Sequence, residues 1–451
     1  MSIDPKSPPL SSTRRKLLMN TLFGAGLVGL RSLASGIPAA VLLDPMKAFA
    51  DGTPSGPNPQ FVIFSSSGNG DPLNCNVPGT FGFADISHSP DPLMAPTPMT
   101  IGAQTYTAAK PWTLLPSWVT QRTCFFHHGT YTVVHPDITK VLKLEEKVAQ
   151  HEMLPSMFAT QLAPKLGTVQ AEPISMSPTL TYSGRPQPVL SPAALYKLLG
   201  NPAGVIGQDT LQSLRDADLN RLNDLYRSEG NAAQRAFLDR YASAQTQARK
   251  VSDALLSTLQ NITDNGPDSQ VLAALTLIRM RVTPVVGINI PFGGDNHTDT
   301  MLANETKQHV AGVNTINNLM TQLDAAGTDD VTGLPWKDLV SFMTLNVFGR
   351  TFKNSDNGRN HHGDHHIMVM IGKAFQGSVI GGIEPANNDY RATSIDSATG
   401  NAVLAGKGDV GFSSTLSSVG KTLGVGLGLD RGVLDQNISG GKVIPAALAS
   451  T

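Results

Sequence analysis

Residues 61–71 read Phe-Val-Ile-Phe-Ser-Ser-Ser-Gly-Asn-Gly-Asp. The first four residues are all apolar, a pattern typical of a strand that is buried on both faces of a parallel sheet. The small and polar residues that follow predict a loop at the carboxyl end of that strand, which is the edge where open α/β sheets bind ligands. This stretch therefore predicts both a fold class and the place where a site would lie.

Other segments repeat the pattern of an apolar run followed by a loop. Together they predict an α/β fold with a large, mostly parallel central sheet and helices on both faces. Leucines at helical spacing predict a further helical insertion around residues 209–259. The predicted strands are Thr123–Phe126, Val282–Ile290, Leu339–Phe348 and Met368–Ile371, and the other predicted helices are 139–165, Val271–Met280 and Lys307–Leu323.

The first fifty residues have the pattern of a twin-arginine signal peptide. Arg14-Arg15 precedes a mildly apolar run, and Ala48-Phe49-Ala50 offers a small-x-small cleavage site. Arg31 interrupts the apolar run, so we expect no stable membrane span after cleavage. The pattern predicts export by the twin-arginine translocase, and hence a periplasmic or secreted protein.

The rest of the chain divides by composition. Residues 51–60 are rich in Pro and Gly and are expected to form a linker, and residues 61–393 are expected to form the α/β domain. Residues 394–451 are rich in Gly, Ser and Ala and are expected to pack on this domain or to trail from it.

The formal net charge of the 451-residue chain is −1, which argues against nucleic acid as a partner. Whether Cys75 and Cys124 pair stays open at this stage.

Four of the eleven histidines lie within six positions of the stretch 354–366, which reads N-S-D-N-G-R-N-H-H-G-D-H-H. Neutral imidazoles and carboxylates bind zinc and other divalent first-row metals. The stretch offers Asp356, His361, His362, Asp364, His365 and His366, and the predicted ligands among them are His361, His362, Asp364 and His365. A solvated histidine-rich loop, or histidines that only form hydrogen bonds, would have the same composition.

A smaller set of candidate ligands follows the predicted strand Val282–Ile290. Alternate positions of an extended loop project to the same side, so Asp295 and His297 could bind one ion together. A helix-capping aspartate beside a surface histidine is the alternative. Taken together, the two sets predict a divalent metal ion, zinc first, with calcium or manganese as alternatives.

Two further residues could act on an anionic substrate. Arg350 could grip an oxyanion such as phosphate or sulfate, or it could instead bind loop carbonyls and hold its turn. The hydroxyl of Thr130 lies in a loop after a predicted strand, where a nucleophile could sit, and Ser65–Ser67 offer the same group. Taken singly, each of these hydroxyls is more often structural.

These residues together resemble a known family. The twin-arginine leader, Gly293–His297, and the segment Phe348–His361 with its Phe-Gly-Arg-Thr and Gly-Arg-Asn-His are similar to a twin-arginine-exported, sulfatase-like bacterial family of unknown function in the alkaline phosphatase superfamily. The likeness covers most of residues 60–385. The chain departs from the family pattern at Val347, where the family has Glu, at Asn360, where it has Asp, and at Gly294, where it has Trp.

The resemblance implies a metal site at the carboxyl edge of the sheet. Family positions carry over to Asp295, His297, Arg350, Thr351 and His361. The resemblance and the departures from it leave two candidate functions. One is a metal-dependent hydrolase that acts on a small phosphate or sulfate ester, and the other is a non-catalytic periplasmic binding or assembly protein with a degenerate metal site.

Overall fold

A seven-stranded sheet forms the centre of the computed structural model, which describes residues 59–168, 170–193, 195, 221, 224, 258, 262–355 and 357–449. The strand order across the sheet is β7-β2-β6-β5-β1-β4-β3. In chain order the strands are β1 (Phe61–Ser65), β2 (Thr123–His128), β3 (Ile174–Ser175), β4 (Val285–Ile288), β5 (Val340–Thr344), β6 (His366–Ile371) and β7 (Ser378–Ile380).

Six of the seven strands run in the same direction. β1 pairs in parallel with β4 and β5, β3 with β4, and β7 with β2. β6 is antiparallel to both of its neighbours, β2 and β5. The prediction of an α/β protein with a mostly parallel central sheet is therefore confirmed. The reversal of β6 also places its first residue, His366, at the edge where the other strands end.

Every residue of β1, β2, β4, β5 and β6 is buried. Successive side chains of a strand point to opposite faces of the sheet, so complete burial means that both faces are covered by other parts of the chain. This explains why the strands read as continuous apolar runs instead of alternating ones. The register pairs Phe61 with Val340 and Ile63 with Val286.

Four longer helices accompany the sheet. α1 contacts β1 and β4, α2 contacts β4, and α4 contacts β2. These helices are α1 (Leu154–Leu166), α2 (Pro267–Arg279), α3 (Ala303–Ala325) and α4 (Thr415–Gly426), and the shorter helices are Lys110–Thr113, Ser117–Thr120, Ile138–Leu142 and Arg431–Asn437. The helix predicted over 139–165 is interrupted, because Leu144, Glu145 and Glu146 all have positive φ angles.

Small hairpins and single turns complete the described part of the chain. The hairpins pair Pro96–Ile101 with Gln104–Ala109, Thr181–Tyr182 with Arg185–Pro186, Gly349–Arg350 with His361–His362, Ile383–Ala386 with Asp389–Ala392, and Ser394–Ile395 with Ala402–Val403. The 3₁₀ turns are Pro72–Cys75, Pro92–Met94, His135–Asp137, Ala149–His151, Trp336–Asp338, Leu404–Gly406, Phe412–Ser414 and Pro445–Ala447.

The strand predicted over Leu339–Phe348 ends earlier, at Thr344. Beyond it the chain follows the loop after β1, and the amides of Leu345 and Val347 donate to the carbonyls of Ser65 and Ser67 at 2.9 and 3.2 Å. The apolar residues of this segment are thus buried outside the sheet. Because these residues are buried without pairing in the sheet, their hydrophobicity led to a predicted strand that is four residues too long at its carboxyl end.

Several sequence predictions fall on residues that the structure does not describe. The signal peptide at 1–50, most of the linker, Asp356, and nearly all of the helical insertion at 209–259 lie outside the described residues. Within the described ranges, no helix combines the length and the apolar character that a membrane crossing requires. Cys75 and Cys124 are both free and buried, and burial raises the pKa of the Cys124 thiol to about 12.

Candidate metal centre

Four loops meet at the carboxyl edge of the sheet, and the one that joins β5 to β6 carries both Arg350 and His361. In a parallel sheet the carboxyl ends of neighbouring strands lie side by side, and the antiparallel β6 brings its amino end to the same edge. Residues far apart in sequence therefore converge there. Gly68 and Asn69 follow β1, His135 follows β2, Asp295 and His297 follow β4, Arg350 follows β5, and His361 precedes β6.

Three of these side chains can offer one ligand atom each to a common ion. The ligand atoms of His135, Asp295 and His361 lie within 4.8 Å of one another. Across the described ranges of the chain, this is the one group of three or more histidine, cysteine or acidic side chains that meets this distance. Asp295 is exposed and the two histidines are half-buried, so solvent and ligands can reach the group.

Hydrogen bonds to backbone carbonyls orient the two imidazoles. His135 donates from Nδ1 to the carbonyl of Gly68 at 2.7 Å, and His361 donates from Nδ1 to the carbonyl of Val133 at 2.7 Å. Because a carbonyl can only accept, Nδ1 carries the proton in each ring, and Nε2 is left with its lone pair. This arrangement is the usual one for metal-binding histidines. Burial also lowers the pKa of His361, which favours its neutral form.

His297 lies directly against this group. Its Nε2 is 2.6 Å from His361 Nε2, 3.2 Å from Asp295 Oδ1 and 3.3 Å from a terminal nitrogen of Arg350. Since the proton of His361 sits on Nδ1, the 2.6 Å contact between the two imidazole nitrogens places a proton on His297 Nε2, which donates to His361 Nε2. We call His135, His297 and His361 the edge group.

Arg350 holds the carboxylate of the centre. Its side chain is fully buried, and one terminal nitrogen donates to Asp295 Oδ1 at 3.1 Å and to the carbonyl of Asn69 at 2.8 Å. Burial lowers the pKa of the guanidinium, and the charge of Asp295 opposes that shift. Of the two roles considered from the sequence, these contacts favour holding the loops, because one terminal nitrogen binds Asp295 and Asn69 and the other lies 3.3 Å from His297 Nε2. The buried Nε has no hydrogen-bond partner among the described residues.

Phe348 packs beneath the edge group. Its ring stacks on His361 with centroids 4.3 Å apart, meets His135 edge-on at 5.0 Å and lies 5.4 Å from the Arg350 guanidinium. Gly70 makes this fit feasible, since it has a φ of +65° and any Cβ there would overlap the Phe348 ring. The Phe348 side chain thus fixes one wall of the centre.

The other histidines of the 361–366 stretch point elsewhere. His362 donates from Nε2 to the carbonyl of Tyr390 at 2.6 Å. His365 is fully buried, and its Nε2 lies 2.9 Å from His127 Nδ1. Asp364 accepts at its backbone carbonyl from the amide of Ala392 at 3.0 Å. The structure therefore brings Asp295, His297 and His361 together, and it leaves His362, Asp364 and His365 outside the ligand group.

A second set of histidines lies inside the sheet. We call His127, His128, His365 and His366 the buried group, because all four are at most 1% exposed. The rings of His128 and His366 stack at 5.9 Å, and those of His127 and His365 lie 5.1 Å apart. Burial lowers the pKa of His127 and of His128 to about 3, and that of His365 well below its usual value. The rings of His127, His128 and His365 are therefore neutral at physiological pH.

The candidate nucleophiles are bound to backbone groups. Thr130 is fully buried, and its hydroxyl donates to the carbonyl of Gly363 at 3.4 Å. Ser66 donates to the carbonyl of Leu345 at 2.5 Å, and Ser65 Oγ accepts from the amide of Ile290 at 3.0 Å. At the start of α3 the acidic residue that binds the free amides is Asp299, which accepts from the amides of Ala303 and Glu305. Asp295 is thus not the cap.

His135 is the functional candidate that the sequence prediction missed. It stands alone with Pro136, away from both dense motifs, and seven residues beyond the end of β2. The available signal was its position, since it follows a buried strand just as Asp295 follows β4.

No protein-family model matches this chain, and no curated protein matches it. The geometry of the centre therefore carries the functional argument.

Proposed function

We propose that the chain is an exported protein of the alkaline phosphatase and sulfatase-like fold that binds zinc and hydrolyses phosphate or sulfate esters. The supporting observation is that one ligand atom each of His135, His361 and Asp295 lies within 4.8 Å of the other two. Two imidazoles with their other nitrogen fixed on a carbonyl, together with one carboxylate, form the three-ligand set that is typical of catalytic zinc sites. Calcium prefers sites made of oxygen atoms, so the donor set favours zinc.

The residues around the ligand group suit an anionic ester. Zinc, when bound, supplies Lewis-acid polarisation and lowers the pKa of water. Arg350 orients Asp295, and the buried Phe348 excludes water from one side of the edge group. Because the hydroxyl of Thr130 already donates to Gly363, the proposal assigns the attack on the ester to water and not to this threonine.

A non-catalytic periplasmic binding or assembly protein is the second candidate. It is favoured by the same hydrogen bonds, which hold the hydroxyls of Thr130 and Ser66 on backbone carbonyls. In this candidate the metal site is degenerate: it holds an ion but does not turn over an ester. The two candidates therefore differ in activity and agree on metal binding.

Metal analysis and hydrolysis assays on the purified full chain test the proposal. We expect the wild type to bind a single zinc ion and to cleave a p-nitrophenyl phosphate or sulfate. Asp295→Ala and His361→Ala should lose both properties. His362→Ala is the matched control, because this neighbouring imidazole binds the Tyr390 carbonyl, and it should keep both.

The outcomes separate the candidates. Zinc binding that is lost in both variants, without hydrolysis by the wild type, would support the non-catalytic protein. A wild type that binds calcium or manganese in preference to zinc would correct the identity of the metal. A wild type that binds no divalent metal would refute the proposal in both forms.

A further inference from the structure

The first turn of α3 carries a buried carboxylate that takes no direct part in the ligand group. Glu305 is fully buried, and both of its oxygens are occupied. Arg359 donates from Nε to Oε2 at 2.7 Å and from a terminal nitrogen to Oε1 at 3.2 Å. Asn76 donates to Oε1 at 2.8 Å, and Asn296 donates to Oε2 at 3.0 Å.

Two of these partners belong to the two ligand loops. Asn296 stands between Asp295 and His297, and Arg359 stands two residues before His361. The carboxylate of Glu305 is therefore the point at which the loop after β4 and the loop before β6 are joined. The backbones of the loops also touch, because a Cβ at Gly358 would overlap the carbonyl oxygens of Asn296 and His297.

Arg359 also binds the other side of its own hairpin, the side that carries Arg350. Its guanidinium is fully buried and donates to the carbonyls of Thr351 and Phe352, each at 2.9 Å. A buried carboxylate and a buried guanidinium cannot separate without exposing an unpaired charge to an apolar surrounding. The two loops are therefore expected to move as one body.

We propose that Glu305 is a positioning residue of the metal centre, which fixes Asp295 and His361 at the mutual distance that an ion requires. This inference rests on the proposed metal binding. It assigns to Glu305 and Arg359 a role that is separate from ligation, since neither belongs to the group His135, Asp295 and His361. The carboxylate acts on one ligand loop through Asn296 and on the other through Arg359.

Two asparagines provide a matched test. Asn76 and Asn296 are both buried, and each donates its amide to Glu305, but only Asn296 lies in a ligand loop. Asn296→Ala should weaken zinc binding by about tenfold or more, as is usual for residues that orient metal ligands. Asn76→Ala should leave the zinc affinity unchanged. Equal zinc affinities in the two variants would overturn the inference.

Glu305→Gln tests the connection between the loops without any metal. Amide hydrogen exchange of the metal-free protein should accelerate in 294–302 and in 357–362 together. Asp329→Asn is the control, because it breaks the partly buried ion pair with Arg281, which lies in neither ligand loop. It should lower the melting temperature and leave exchange in both loops unchanged.

These readouts also separate the inference from the proposed function. If the wild type binds no zinc, the proposed function fails, and the exchange experiment alone decides whether Glu305 joins the loops. Unchanged exchange in both loops of Glu305→Gln would refute the inference even if the wild type binds zinc. If Glu305→Gln does not fold, the pair Asn296→Ala and Asn76→Ala decides through zinc affinity and loop exchange.

Discussion

The edge group and the buried group contain the same side chain at the same end of the sheet, yet their surroundings are opposite. In the edge group, His135 and His361 donate from Nδ1 to backbone carbonyls, and each ring has a ligand atom within 4.8 Å of the Asp295 carboxylate, which solvent can reach. In the buried group, the rings pack against each other and have no access to solvent. In the buried group, Nδ1 of His128 and of His366 also lies against a backbone carbonyl, at 3.0 and 2.9 Å. The comparison therefore teaches that access to solvent, more than the density of histidines, distinguishes the edge group.

The largest expected contrast is in stability. His128→Ala removes a fully buried ring, and we expect it to lower the free energy of unfolding by about 2–4 kcal/mol. His361→Ala should change this free energy in the metal-free protein by less than about 1 kcal/mol, because the ring is half-buried at the surface. Urea denaturation in the presence of a chelator measures both values. Equal losses in the two variants would remove the distinction between the groups.

The second contrast is in the response to acid. Burial lowers the pKa of His127 to about 3, whereas an unfolded histidine has a pKa of about 6.5. The unfolded chain therefore takes up the proton first as the pH falls. The stability is complete above pH 6.5 and is lost between about pH 6.5 and pH 3, by up to about 1.4 kcal/mol per pH unit for each such group.

Replacement of His127 sharpens this contrast. His127→Gln should make the acid-induced loss of stability less steep, as measured by urea denaturation of the metal-free protein between pH 7.5 and pH 4.5. The control Phe126→Leu, at a neighbouring buried position, should lower the stability by a similar amount at every pH. An unchanged slope in His127→Gln would show that this ring is not held neutral by burial.

The smallest contrast separates two phenylalanines. Phe348 stacks on His361 of the edge group, and Phe352 packs 5.1 Å from His365 of the buried group. In Phe348→Leu the stacking that orients His361 is lost, and we expect the free energy of zinc binding to become less favourable by about 0.5–1.5 kcal/mol. This change corresponds to a roughly two- to tenfold weaker zinc affinity. Phe352→Leu should reduce stability and leave the affinity unchanged, as determined by competitive zinc titration. A reversed order would place the centre at the buried group.

The central sheet could be predicted from the sequence because its strands are buried on both faces. Continuous apolar runs gave the positions of β1, β4, β5 and β6, with ends that differ by a few residues. The helix Thr415–Gly426 was not predicted, since its glycines and serines give no clear helical pattern and it is stabilised by packing against β2. This helix is therefore determined by contacts with a segment distant in sequence, which its own residues do not reveal.

The candidate centre was predicted in part. Asp295, His297 and His361 were identified from their loops, but His362 and His365 were included because they are neighbours in sequence. Adjacent residues of the short strand His361–His362 point to opposite sides, so one ring enters the centre and the next faces Tyr390. The antiparallel direction of β6 and the convergence of His135 depend on tertiary structure, which composition does not contain.

Anomalous X-ray scattering at the zinc edge, from crystals of the full chain grown with zinc, tests the central claim most directly. We predict a single strong peak at about 2.0–2.2 Å from His135 Nε2, His361 Nε2 and a carboxylate oxygen of Asp295. A peak at His362, or among His127, His128, His365 and His366, would contradict the account. So would the absence of any peak at the edge group.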